Sequence, residues 1–181
     1  MKQILWVLTL VGVIGCGGAS KQYLLSVNGE QVSGAAKHTT QIGVDKIIVP
    51  GYLEESRIPV QKPGGEIRYR DEGWAVPAAT SLTNSLIHAL QKRFSNPNVY
   101  LFPWDVEREQ GMRVKVVIQR FIYSGGKVIL EANYFIKRIG SRHKRSYLFA
   151  VEVPSAEDTP SVIRAMGDAF GKLTAEIGRK L

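Results

Sequence analysis

One thiol, three imidazoles and scattered carboxylates are the groups in this 181-residue chain that could do chemistry, and their spacing favours little of it. Cys16 is the single cysteine, so neither an intramolecular disulfide nor a multi-cysteine metal cage can form. His38, His88 and His143 lie far apart in different kinds of segment, with no HExxH and no helical pair suited to zinc. His88 falls in an amphipathic stretch and is expected to be a partly buried helix residue; the other two fall in polar loops. A phosphate-binding loop is absent, because Gly126-Lys127 is followed by Val128 and the place of the motif's first glycine is taken by Phe121. No GxSxG elbow occurs. Glu54-Glu55 are neighbours that would point apart in a strand, and they read as a solvated turn. The residues assemble no catalytic constellation and no cofactor or metal site, so the expectation is a protein that is not an enzyme.

The thiol has a different setting. Met1-Lys2 is a short positive start, Ile4 to Gly15 is an almost unbroken apolar run, and small residues precede Cys16. The run ends at Gly17-Gly18-Ala19-Ser20-Lys21, short of the roughly 20 apolar residues that a membrane span needs. Val13-Ile14-Gly15-Cys16 resembles the lipobox of bacterial lipoproteins. That resemblance implies a diacylglyceryl group on Cys16 and cleavage just before it. Residues 1–15 are then a signal peptide, 16–21 a lipidated tether and 22–181 a single domain. One acyl chain holds a protein only marginally, at about 0.8 kcal/mol per buried methylene, whereas two or three hold it durably. In lipoproteins of enterobacterial type an aspartate after the cysteine retains the protein at the inner membrane. Gly17 there implies the periplasmic face of the outer membrane, where nucleic acid is not an expected partner.

Two patterns could mark contact surfaces. Lys137, Arg138, Arg142, His143, Lys144 and Arg145 form the densest charge run, around a turn at Gly140-Ser141. It reads either as a solvated hairpin tip or as an anionic contact, with headgroups beside the anchor or with an acidic partner face, each charge contributing on the order of 1 kcal/mol near a membrane. Gly167, Gly171, Thr174 and Gly178 recur at helical spacing beside an apolar stripe. Each glycine costs about 0.8 to 1 kcal/mol in a helix relative to alanine, so a close approach is expected. The stripe packs tightly either on the domain's own sheet or on a partner or second copy of the chain. Tyr100-Leu101-Phe102-Pro103-Trp104 is a further aromatic patch, which a strand entering the core explains for Leu101 and Phe102.

The elements that must position these residues follow from periodicity. Hydrophobic residues make up 44% and charged residues 22%, a globular composition and not that of a disordered or polytopic membrane chain. The formal charge of +8 favours anionic neighbours. Gln22–Val27 and Gln41–Val49 read as strands; Arg57–Gln61 and Glu66–Arg70 read as short edge pieces joined by Pro63-Gly64-Gly65. Pro77–Phe94 takes helical spacing through Leu82, Leu86 and Leu90, Ser95–Asn98 stops it, and Val99–Phe102 is a strand. Arg113–Gln119, Val128–Ile136 and Ser146–Val153 alternate with period two, the first two joined by Ser124-Gly125-Gly126-Lys127, which predicts an antiparallel meander. The last helix opens with Thr159 as cap and Pro160 in the first turn, and aligns Ile163, Met166, Phe170, Leu173, Ile177 and Leu181. The predicted fold is α/β: a mixed, largely antiparallel sheet of about seven or eight strands packed by two amphipathic helices, an α/β sandwich.

Several of these segments resemble one family, the PqiC-like ABC-type transport auxiliary lipoproteins. They are Val49-Pro50-Gly51-Tyr52-Leu53 with Arg57-Ile58-Pro59-Val60; Gly73-Trp74-Ala75-Val76-Pro77; Arg120-Phe121 through the double-glycine hairpin to Leu130-Glu131-Ala132; and Arg164-Ala165-Met166 to Leu181. Glu54-Glu55-Ser56 departs from the shorter turn usual there, and glycines stand in the last helix where alanines are usual. The resemblance implies a non-catalytic lipid-anchored domain that works with an MCE-domain protein and associated transporter components to move lipids or other hydrophobic molecules between membranes. Trp74 and Tyr52 then line a binding surface or pack over the helix start. A cell-wall synthase activator and a lipopolysaccharide-assembly lipoprotein are the alternative readings.

Overall fold

The computed structural model describes residues 20–25, 40–103 and 111–181. In chain order the strands are β1 (Gln22–Tyr23), β2 (Ile42–Asp45), β3 (Arg57–Gln61) and β4 (Ile67–Trp74), followed after a helix by β5 (Val99–Phe102), β6 (Met112–Ser124), β7 (Lys127–Arg138) and β8 (Lys144–Pro154). The helices are α1 (Ala78–Phe94), between β4 and β5, and α2 (Thr159–Lys180) at the end. A single 3₁₀ turn, Gly51–Leu53, stands between β2 and β3.

Alternation makes β6 two-faced: Val114, Val116 and Ile118 are buried, while Lys115 between them is exposed. Gly125 and Gly126, at φ +56° and +82°, supply the two left-handed residues that a tight hairpin demands, and β7 returns antiparallel with Val116 opposite Tyr134. β8 continues the meander, Tyr147 opposite Tyr134, with the two rings stacked 4.8 Å apart.

The other edge of β6 is shared. β2 runs parallel to its beginning, Ile42 beside Met112 and Val44 beside Val114; Ile48 bridges to Val117; β3 runs parallel to its end, Val60 beside Tyr123. β5 pairs with β2, β4 with β3 and β1 with β4, giving the path β1-β4-β3-β6-β2-β5 with β7 and β8 on the far side of β6. The eight-stranded mixed sheet and two helices match the predicted sandwich, but β3 and β4 are not edge pieces. β6 is long enough to carry two partners on one side, so β3 is enclosed between it and β4, and β1, β5 and β8 form the ends. Pro59, which cannot donate to a ladder, sits where the β3–β4 register slips.

β4 also runs beyond the expected Arg70 to Trp74, and Gly73 permits this: a Cβ there would lie 2.6 Å from the Ser56 carbonyl. The next amide, Trp74 N–H, donates to that same carbonyl at 2.7 Å. β1 is shorter than expected, Gln22–Tyr23 followed by the buried Leu25, and the remainder of its expected span lies outside the described residues. β2 stops at Asp45, with Ile48 rejoining as a lone bridge.

Both helices lie on one face of the sheet, α1 over β2 and β5 and α2 over β7 and β8. α1 buries Leu82, Leu86, Leu90 and Phe94, each full burial stabilising by roughly 1.5–3 kcal/mol. Its inward polar side chains are satisfied: Ser81 Oγ donates to the Leu25 carbonyl at 2.8 Å, and Thr83 Oγ1 accepts from Ile47 N–H at 3.0 Å. In α2 the buried face is Val162, Met166, Ala169, Phe170, Leu173 and Ile177, with Ile163 and Leu181 at its margin. Its N-cap is Asp158, not Thr159; the Asp158 carboxylate accepts from Ser161 N–H at 3.0 Å and Pro160 occupies the first turn.

Candidate functional site

The segment around Tyr52 is a seam. Between the Ile48 bridge and β3, one stretch of the β6 edge has no neighbouring strand among the described residues, and a bulge there shifts the register between Ile118 and Arg120. The 3₁₀ turn swings Tyr52 into this gap, where its hydroxyl accepts the Phe121 N–H at 2.9 Å. Burial raises the phenol above its ordinary value, the bond to Phe121 working against that shift. Trp74 is 5% exposed and lies in the core, so it forms no open binding surface, while Tyr52 is half-buried at the core margin.

Cys16 lies outside the described residues, as do His38 and Trp104. The described chain begins at Ser20, whose hydroxyl donates to the Asp71 carbonyl at 2.6 Å before β1 joins β4. β1 joins β4 at Gly73 and Trp74, and Gly73 pairs with Arg57, three residues before the Val60 that pairs with Tyr123, so the chain enters just past the middle of β6 on its Ser124 side. Three cations at the Ser124 end are matched, Lys62 with Glu157 at 2.9 Å, Arg68 with Glu66 at 2.9 Å and Lys127 with Glu152 at 2.6 Å, while Arg70 donates to Thr159 Oγ1 at 3.3 Å and to the Glu157 carbonyl. Lys62 holds the Glu157 carboxyl below its ordinary value.

The basic run occupies the other end. Lys137 pairs with Lys144, and Arg113 pairs with Lys137, setting three cations abreast on neighbouring strands. Like charges directly opposite one another destabilise a sheet. Arg113 is relieved by a bidentate pair to Asp45 at 2.7 and 2.9 Å and lies 4.1 Å from the Phe102 ring centre. Lys137, Arg138, Arg142, Lys144 and Arg145 form no carboxylate pair among the described residues. Arg145 instead donates to the Lys180 carbonyl at 3.0 Å, and Lys144 lies 4.9 Å from the Phe135 ring centre. The fold brings Arg179 and Lys180 from the end of α2 to the same pole, both paired with Glu176. Sequence reading missed these two, since only the course of α2 beside β8 carries them there.

Gly167, Thr174 and Gly178 are buried and Gly171 is half-buried. Gly178 faces α1: a Cβ there would meet the Arg93 side chain, with Nε at 2.6 Å. At this position the close neighbour is the other helix. His88 is exposed, with Nδ1 3.3 Å from Gln91 Oε1, because it faces away from the Leu86–Leu90 stripe; the partial burial expected for it is not found. Leu101 is 52% exposed, and Val99 is the residue β5 commits to the core, contrary to the expectation for Leu101. Glu54 and Glu55 are exposed. No group of three or more metal-ligating side chains occurs among the described residues, and no described helix is long and apolar enough to cross a membrane.

Residues 23–178 match the family model described as ABC-type transport auxiliary lipoprotein component. Among solved structures, the chain is similar to a Xanthomonas campestris protein at 22% identity and TM-score 0.72, covering 84% of this chain and 89% of that one. An uncharacterised protein is similar at 16% identity and TM-score 0.72, covering 89% of this chain and 97% of that one. No curated protein matches.

Proposed function

This chain belongs to the ABC-type transport auxiliary lipoproteins, and on that premise we propose that it is a non-catalytic component anchored at the periplasmic face of the outer membrane, serving an MCE-type system that moves lipids or other hydrophobic molecules between membranes. The family match across residues 23–178 is the observation that carries the reading. A transport auxiliary works with other transporter components, and the MCE-domain protein is the one proposed here. Anchorage is assigned to acylated Cys16, with residues 1–15 removed, 16–21 as tether and 22–181 as one domain. A body of this kind acts by position, holding a contact surface at a fixed place on the bilayer.

The test is cross-linking in intact envelopes followed by purification of the full, acylated chain. Recovery of an MCE-domain protein and its transporter supports the reading. Recovery of only peptidoglycan synthases, or of a lipopolysaccharide-assembly barrel, overturns it.

A further inference from the structure

The two ends of the sheet differ in charge in a way that bears on orientation. At the Ser124 end, the side from which the chain leads in, Lys62, Arg68 and Lys127 each meet a carboxylate. At the other end, Lys137, Arg138, Arg142, Lys144 and Arg145 meet none among the described residues, and Arg142 and Lys144 are exposed. Between the level of the chain entry, beside Arg57, and the level of Lys137 and Lys144, β6 covers about 23 Å at ~3.3 Å per residue. The link from Cys16 to Ser20 can reach at most about 14 Å. A basic patch meant for the anchoring leaflet gains most beside the tether, and this one stands farther off than the link can reach, on the side opposite to that from which Ser20 leads in.

Its surroundings suit a polypeptide better than a headgroup. β8 is the end of the sheet, and among the described residues its outer edge has no strand partner, which leaves backbone donors and acceptors along it. Leu148 on the same strand is 85% exposed, a few residues from Lys144 and Arg145. Cations, an apolar contact and an open backbone edge together form the complement of an extended acidic segment. A second copy of this chain, at +8 formal charge, is a poor complement.

We propose that the basic pole and the β8 edge dock an acidic segment of a partner protein, held at the end of the domain away from its own anchoring leaflet. The orientation rests on the lipoprotein reading above; the docking chemistry does not.

The experiment places a photo-crosslinking amino acid at Arg142 and, as control, at Glu66 in the full acylated chain, irradiates intact cells and sequences the adducts. The expected result is an adduct at position 142, and not at position 66, with a protein whose contacting peptide is net acidic. Adding Lys137→Glu, Lys144→Glu and Arg145→Glu is expected to lower its yield at least tenfold while the thermal melt shows a folded domain. Should that variant fail to fold, the unsubstituted pole must still lose the adduct in washed envelopes as salt is raised. Adducts with lipid, with another copy of this chain or with a peptide lacking acidic residues overturn the proposal, as do a yield unaffected by charge reversal and no adduct at all. If the captured acidic protein belongs to no transport system, the functional reading fails while the docking surface stands. Soluble full-length chain would remove only the orientation.

Discussion

The hydroxyl of Tyr52 accepts the backbone N–H of Phe121 at 2.9 Å, where no strand among the described residues does so. One side chain thus completes the edge of the longest strand, between two parallel neighbours that both pair with it. Tyr52→Phe keeps the ring and leaves that amide without its acceptor, at an expected cost of about 1–3 kcal/mol. Urea unfolding of the two proteins measures it; equal midpoints would remove the seam as a stabilising feature.

Two glycines in tight places are expected to behave oppositely. At Gly73 a Cβ would meet backbone, the Ser56 carbonyl at 2.6 Å, so Gly73→Ala must shift a strand and should cost about 1–3 kcal/mol. At Gly178 the obstruction is the Arg93 side chain, which can swing aside, and the helix gains up to about 1 kcal/mol from alanine. Gly178→Ala should therefore hold or raise the melting temperature. Calorimetry of both variants compares them directly.

Gly171 is half-buried on the same line of small residues. Enlarging it in Gly171→Leu is expected to lower the melting temperature if the line packs within the domain, or to change particle mass in light scattering if it meets another copy. A variant unchanged in both would show that the position has no close neighbour.

Burial pushes the Tyr134 phenol up to about 12, with Glu176 adding to the shift. The folded chain therefore keeps a proton that the unfolded chain releases near pH 10. Stability from this group is whole below about pH 10 and falls as pH rises to about 12, by on the order of 2–3 kcal/mol. Urea midpoints taken across that window should decline, and Tyr134→Phe should flatten part of the decline.

Cys16→Ala should leave the thermal melt of the domain unchanged and move the protein from the membrane pellet to the soluble fraction on cell fractionation. A distribution like that of the unsubstituted chain would contradict acylation.

Local pattern made much of the fold legible. The β6–β7–β8 meander follows from period-two alternation and a glycine pair able to take the left-handed residues of a tight hairpin, and α2 follows from a stripe at three-and-four spacing. The pairing of β2 and β3 with opposite ends of β6 was not legible, because parallel neighbours distant in sequence leave no turn between them to read. The extension of β4 past Arg70 to Gly73 and Trp74 was not legible, since the carbonyl that draws them into the strand belongs to Ser56 on another segment. The basic run was visible as residues. That Lys137 and Lys144 stand opposite one another, away from the chain entry, depends on strand register and on β1 docking beside β4.

The sharing of β6 also bears on how the chain comes together. β2 and β3 find their common neighbour only in residues 112–124, so a polypeptide emerging amino-terminus first cannot zip this sheet until its later half is in hand. The meander can assemble from adjacent hairpins and then serve as the template onto which the earlier strands are laid. Such an order leaves the leading half without its central partner, and its final shape waits on the strand that arrives last to meet it.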